Sequence, residues 1–203
     1  MDATGWDERY GAQEPVWGEQ PSVFVAEALG TTPPGRALDL AAGEGRHAVW
    51  LASLGWHVEA VDYSSVGLSR AQEWAKAQGV ADRLVTVEAD LVDFVPAPGG
   101  FDAVILAYVQ LPRFERIAVI PSAARAVAVG GLLVVVAHDS SNLADGHGGP
   151  PDPSVLYTPQ EVLSDLEAGP YEWEILRGEV ALREVAGAER PARDAVVVAR
   201  RVG

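Results

Sequence analysis

The sequence predicts an α/β fold, and three observations carry that prediction. Apolar runs of strand length alternate with amphipathic stretches from about Arg36 onward, the pattern of strands joined by helices. Acidic residues, Asp39, Asp62 and Asp90, stand at the ends of the first three apolar runs. The last two runs follow one another with no helical stretch between them, so the chain ends in a hairpin, as a plain βαβ repeat would not.

Each element has its own signal. "RALDL" reads as the first strand and "RHAVWLASLG" as a helix stopped by Gly55. "WHVEAVD" is the second strand. In "SSVGLSRAQEWAKAQG", Ser65 is positioned to cap a helix, Val66, Ala71 and Trp74 form its apolar face, and Gly79 ends it. "LVTVEAD" and "FDAVILA" are the third and fourth strands, separated by the turn-rich "PAPGG". "PRFERIAVIPSAARAVAVGG" reads as a helix that Pro121 bends or interrupts, leading into the strand "LLVVVAH". The segment Asp139 to Pro153, rich in glycine and proline, exceeds the usual connection length and is expected to be a lid or binding loop. "TPQEVLSDLEAG" is a short helix with Thr158 as cap and Pro159 in its first turn. "YEWEILRGEV" and "RDAVVVARR" are the terminal strand pair.

At 203 residues the chain is expected to form a single domain over 1–203, with a first helix and cover segment in 1–30 and the core in 36–203. The 15 basic residues against 29 acidic ones give a net charge of -14, a field that repels phosphate backbones and argues against nucleic acid as a partner. "MDATGWDERY" lacks the basic and apolar regions of a secretory signal, and "LLVVVA" is far too short to span a bilayer. No membrane partner and a cytoplasmic location are expected. With no cysteine, disulfides, thiolate metal sites and cysteine nucleophiles are excluded. No metal site is expected, because the histidine spacing fits none.

The stretch "LDLAAGEGRHA" carries most of the chemistry. "GEGRHA" matches a Gly-x-Gly-x-x-Ala turn, which taken alone admits a dinucleotide. A Walker phosphate loop is excluded, because no Gly-Lys-Ser/Thr follows. Asp62 suits the hydroxyls of any ribose, so it does not discriminate. Asp39 does: beside the glycine turn it would repel a pyrophosphate and attract an ammonium group. With Asp90 able to accept from an adenine amino group, the ligand that fits is an adenosine carrying an amino acid, S-adenosylmethionine. An NAD-dependent oxidoreductase and a catalytically silent module that senses the cofactor are the competing readings.

"LDLAAGEGRHAVWLASLG", "VEAVDYS", "VEADL" and "FDAVIL", with the terminal strand pair, resemble the class I S-adenosylmethionine-dependent methyltransferases. "WDERYG", "VWGEQPSVFV" and the Gly-Glu-Gly-Arg turn are similar to the small tellurite-resistance (TehB-like) and thiopurine-type group. The resemblance implies a Rossmann-like sheet of seven strands, mostly parallel with an antiparallel last strand, with helices on both faces. It also implies methyl transfer from S-adenosylmethionine to a small-molecule acceptor, a thiol or a chalcogen oxyanion. Carried over, Asp39, Ala41, Gly43, Gly45 and Arg46 line the methionine end, Asp62 holds the ribose, and Tyr63 with Ser64 flanks the adenine. Asp90 and Leu91 meet the adenine edge, and Ala107 closes the pocket. Two departures stand out: His47 where related chains carry asparagine, and no histidine between Leu182 and Pro191.

Methyl transfer from a sulfonium requires mainly alignment and exclusion of water. A soft anion needs little more, whereas an alcohol or amine needs a base. His138, at the end of "VVVAH", is the candidate base, while His47 and His57 read as structural and His147 as exposed. Trp6, Arg9 and Tyr10 are expected to bind substrate as part of an aromatic cover over the sulfonium. Tyr108, Gln110 and Arg183 complete the expected acceptor site.

Overall fold

A computed structural model describes residues 3–11 and 16–203. Residues 1, 2 and 12–15 of the expected cover segment lie outside the described residues. The strands are β1 (Arg36–Leu40), β2 (His57–Asp62), β3 (Leu84–Glu88), β4 (Phe101–Ala107), β5 (Val127–His138), β6 (Trp173–Arg183) and β7 (Ala192–Arg201). They form one seven-stranded sheet in the order β3-β2-β1-β4-β5-β7-β6. The pairs β1–β2 and β2–β3 are parallel. The last strand, β7, runs antiparallel to both β5 and β6, so the mixed sheet has the expected antiparallel end. The helices are α1 (Ala3–Tyr10), α2 (Val23–Leu29), α3 (Arg46–Ser53), α4 (Ser65–Ala77), α5 (Arg113–Ala126), α6 (Asn142–Asp145) and α7 (Pro159–Glu167). None of the described helices is long and apolar enough to cross a membrane.

By its contacts the chain divides into two compact units, Met1–Val95 with Phe101–Ile105 and Pro96–Gly100 with Leu106–Gly203. In the first, Leu38, Leu40, Val58, Ala60 and Val61 are buried under Val49, Leu51 and Ala52 of α3 and Leu68, Ala71 and Ala75 of α4. In the second, Leu133 to Ala137 and Ala195 to Ala199 form an almost fully buried run from two adjacent strands, as expected where both faces of a sheet are covered.

Four local expectations are corrected. The cap of α4 is Ser64, not Ser65: its backbone is extended and its hydroxyl accepts from the Gly67 N–H, while Ser65 is already helical. The third strand ends at Glu88. Asp90 begins a turn instead, its carboxylate accepting from the Val92 N–H. Pro121 lies inside α5 without interrupting it. Pro121 is exposed and Ile117, whose carbonyl loses its partner to the proline, is 46% exposed, so water can satisfy that carbonyl. The same helix stops at Ala126, and the β-branched Val127 and Val129 belong to β5.

Candidate active site

In the first unit the site is built around the turn that follows β1. Ala41, Gly43 and Gly45 take φ of 58, 54 and 82, so the chain makes three left-handed steps within five residues. Glycine is required at two of them. A Cβ on Gly43 would stand 2.6 Å from the Tyr10 hydroxyl, and one on Gly45 would stand 2.6 Å from the Ala71 Cβ. The turn is therefore pressed between α1 and α4.

Two carboxylates flank it. Asp39 is 1% exposed, and its Oδ2 has no hydrogen-bond partner among the described residues. Burial pushes its carboxyl up to about 7, against the Arg46 charge and with help from Asp62. Such an oxygen is costly unless something with a proton or positive charge meets it. Asp62 is also buried, but Oδ2 accepts from the Gly43 N–H at 2.8 Å and Oδ1 from the Ser64 N–H at 2.9 Å. Burial raises its carboxyl, and these backbone donors oppose the rise. The Tyr63 N–H is a third backbone donor to this carboxylate, which still has acceptor capacity for a further donor.

Arg46 directly follows the glycine turn, Tyr63 and Ser64 follow β2, and Asp90 and Leu91 come after β3. Arg46 opens α3, Ser64 is buried, Tyr63 and Leu91 are half-buried, and Asp90 is exposed. His47 is structural. Its Nε2 accepts from the Ser22 N–H at 3.2 Å, and burial, with the nearby Arg46, lowers its pKa to about 3. Tyr10 is buried on Gly43 and Gly67, which ties it to the glycine turn. Asp7 accepts from the Ser64 hydroxyl at 2.5 Å. Trp6 stacks on Tyr10 at 5.2 Å, and Arg9 lies 4.7 Å over Trp17. Glu44 joins the segment to the turn, accepting from the Val16 N–H at 2.8 Å and pairing with Arg70 at 2.6 Å.

The second unit carries a separate polar cluster, and strand register explains it. In the antiparallel β5–β7 pair His138 lies opposite Asp194. In β6–β7, Arg183 pairs with Ala192, two residues along from Asp194. Asp194 is fully buried, its Oδ2 accepting from Arg183 Nε at 2.6 Å and from the Tyr108 hydroxyl at 3.0 Å. His138 Nδ1 lies 3.2 Å from Asp194 Oδ1, within ion-pair range but out of line for a hydrogen bond. Burial alone would raise the Asp194 carboxyl, but His138 and Arg183 outweigh it and hold the carboxyl below its ordinary value.

Tyr108 takes φ 62, a strained conformation for a large side chain that neighbours must hold in place. Its N–H donates to Val136 O at 2.6 Å, and the next residue, Val109, has its carbonyl held by the buried Tyr157 hydroxyl at 2.8 Å. Gln110 spends its amide on the frame: Nε2 donates to Val155 O and Oε1 accepts from the His138 N–H. Ala107 is half-buried at the end of β4. The expected lid is ordered by its own bonds, with Asn142 donating to Gly148 O and accepting from the Arg193 N–H. His147 is exposed.

Asp194, Asp7 and Glu44 are the residues that sequence reasoning missed. Asp194 left one signal, an acid directly before the apolar run "AVVVA". Among the described residues no three histidine or acidic side chains gather as a metal site.

A family model described as a methyltransferase domain matches residues 37–131. The match covers just under half of the chain, the stretch that runs from β1 into β5. The matched stretch holds Asp39, the glycine turn, Asp62, Asp90 and Tyr108, whereas His138, Arg183 and Asp194 follow it. No curated protein matches the chain. Among solved structures, it is similar to a protein studied for the conversion of a disulfide bond into a thioacetal group during echinomycin biosynthesis, with 22% identity and a TM-score of 0.71, covering 98% of this chain and 90% of that one. TehB from Haemophilus influenzae gives 18% identity and a TM-score of 0.70, covering 96% of this chain and 65% of that one. The glycopeptide N-methyltransferase MtfA, solved with S-adenosylmethionine, gives 21% and 0.67, covering 92% and 89%. At these identities the likenesses speak for the fold alone.

Proposed function

We propose that the chain is an S-adenosylmethionine-dependent methyltransferase that acts on a small-molecule acceptor, a thiol or a chalcogen oxyanion, in the cytoplasm and without nucleic-acid or membrane partners. The observation that carries the cofactor side is the buried, unpartnered Asp39 Oδ2 beside a glycine turn. An amino-acid ammonium satisfies it, and a pyrophosphate does not. Asp39 holds that ammonium, with Ala41, Gly43, Gly45 and Arg46 along the same stretch. Asp62 serves the ribose hydroxyls, and Tyr63, Ser64, Asp90, Leu91 and Ala107 serve the adenine. When bound, S-adenosylmethionine supplies a methyl group already activated on a sulfonium.

On the acceptor side we assign Tyr108, Arg183 and His138, with His138 as base, and Gln110 as the brace that fixes the ends of β4 and β5. The α1 aromatics Trp6 and Tyr10, with Arg9, act as a cover that keeps water from the turn. The net charge of -14 supports a partner other than nucleic acid. Calorimetric titration with S-adenosylhomocysteine and with NAD tests the cofactor. Binding of the first and silence toward the second is expected, and the reverse overturns the assignment. Turnover of labelled cofactor against thiols, oxyanions, phenols and amines then tests the activity. Firm binding with no turnover on any acceptor would favour a sensor.

A further inference from the structure

The proposed methyl transfer leaves open whether the acceptor arrives as an anion or with its proton, and the cluster around Asp194 bears on that choice. His138 is gripped on several sides. Asp194 Oδ1 stands 3.2 Å from Nδ1, the Tyr108 ring lies 5.2 Å away, and a Cβ on Gly149 would come within 2.9 Å of the imidazole ring. The side chain keeps 13% exposure, and Nδ1 is its buried nitrogen. The charged groups that face this ring are Asp194 from β7 and, through Asp194, Arg183 from β6. Tyr108 follows β4, and Asp139 is next along the chain. Arg183 is bound to Asp194 at 2.6 Å, so its charge is already compensated. A preformed oxyanion therefore finds no unopposed cation among the described residues of this cluster, whereas a neutral nucleophile finds a braced imidazole.

We infer that Asp194 is a positioning residue that holds His138 with Nδ1 toward its carboxylate and Nε2 toward the acceptor, and that the acceptor is a protonated nucleophile, a thiol or phenol-type hydroxyl, rather than a chalcogen oxyanion. This rests on the methyltransferase reading above. In the step it implies, the acceptor sulfur or oxygen bonds to the methyl carbon and the bond from that carbon to the sulfonium breaks, its electron pair returning to sulfur. The acceptor's proton passes to His138 Nε2. The imidazolium so formed faces the Asp194 carboxylate, which stabilises it, and the proton is then lost to water.

The test compares wild type, Asp194→Asn and His138→Gln on three probes: an alkanethiol, protonated at pH 7, an acidic arenethiol already ionised there, and tellurite. Both variants should lower kcat on the alkanethiol by about 100-fold, the usual scale for general-base catalysis, with KM unchanged. On the arenethiolate the loss should be at least about tenfold smaller than on the alkanethiol. S-adenosylhomocysteine binding, followed by calorimetry, should match wild type. His138→Gln leaves the bonds of Asp194 to Arg183 and Tyr108 in place, so it answers the question even if Asp194→Asn does not fold. Equal losses on both thiols would reduce Asp194 to a structural role, and a wild-type preference for tellurite would overturn the acceptor class. No turnover on any probe, with cofactor bound, would remove the methyl-transfer reading underneath.

Discussion

Asp39 and Asp194 are the same residue type, each at most 1% exposed, yet their carboxyls shift in opposite directions. Asp39 is pushed up to about 7. Asp194 is held below its ordinary value. Burial raises both, so the difference lies in the partners. Both keep one oxygen with no hydrogen-bond partner among the described residues, Oδ2 of Asp39 and Oδ1 of Asp194, but Asp194 has Arg183 and Tyr108 bonded to its other oxygen and His138 within ion-pair range. A buried acid whose charge is balanced by bonded neighbours organises the protein. One whose charge is not is organised for something the protein must bind.

The largest effect that can break this comparison is on cofactor affinity. Asp39→Asn should weaken S-adenosylhomocysteine binding by about 100-fold, since a hydrogen bond to a charged group contributes about 1.5–3 kcal/mol. The free protein should lose no stability above pH 7, because an unpaired buried charge is removed. Calorimetric titration and a denaturant midpoint at pH 8 measure the two effects, and a destabilised Asp39→Asn with normal affinity would reverse the roles given to the two acids. Asp194→Ala should behave oppositely. Leaving Arg183 without its partner should lower stability by about 2–3 kcal/mol, less than for a fully buried pair because Arg183 is partly exposed. Cofactor affinity should change little.

How the two acids read in the sequence differs for the same reason. Asp39 and Asp62 were legible because they stand at strand ends beside a glycine turn, all within a short stretch of chain, where position alone predicts a ligand. Asp194 acquires its role through antiparallel register with His138, 56 positions earlier in the chain, and through Arg183 on a third strand, and no local pattern encodes register. Asp90 shows the limit even of local reading. The Ala89 N–H still donates to Asp62 O, so the extended pattern of "VEAD" outlasts the strand, and the Asp90 carboxylate then closes a turn. All seven strands were legible as apolar runs, most plainly β1, β4 and β7, which are largely buried, whereas β3 and β6 at the ends of the sheet are mostly half-buried or exposed.

A smaller effect sharpens the contrast between charged and neutral buried groups. Below pH 7 Asp39 is protonated in the free protein, so cofactor affinity should fall by about tenfold per unit as pH drops from 7 to 5. Asp39→Asn should remove that slope. Stability of the free protein runs the other way for this residue. Its folded pKa lies above the unfolded one, so its contribution is full below about 3.8 and lost as pH rises through about 7. His47 has the opposite sign. With its folded pKa lowered to about 3, its contribution is full above about 6.5 and lost as pH falls toward 3. In wild type the two slopes offset one another between about pH 4 and 6.5. His47→Gln should leave stability falling with pH across that window and Asp39→Asn should leave it rising, as read from urea midpoints at several pH values. Parallel slopes in the two variants would show that burial does not govern both groups.

The smallest effect concerns how the cover is attached to the turn that carries Asp39. Glu44 uses both oxygens there, one for the Val16 N–H and one for Arg70, and its side chain is only 10% exposed. Glu44→Gln keeps the shape and one acceptor oxygen but turns the other into a donor, which can serve only one of those two partners. The loss should be about 1 kcal/mol, the net worth of one hydrogen bond, and it should be local. Hydrogen exchange at Val16 and Trp17 should accelerate about fivefold, while protection in β1 and β2 stays unchanged. In wild type, S-adenosylhomocysteine should raise protection in α1 as well as around Asp39 to Arg46, and Glu44→Gln should reduce the α1 gain without abolishing the gain at the turn. Asp7 on Ser64 and Tyr10 on Gly43 remain as independent anchors, so the cover should loosen rather than detach. If α1 gains no protection in either protein, its aromatics are packing residues only, and Trp6, Arg9 and Tyr10 have no part in closing the site over the cofactor.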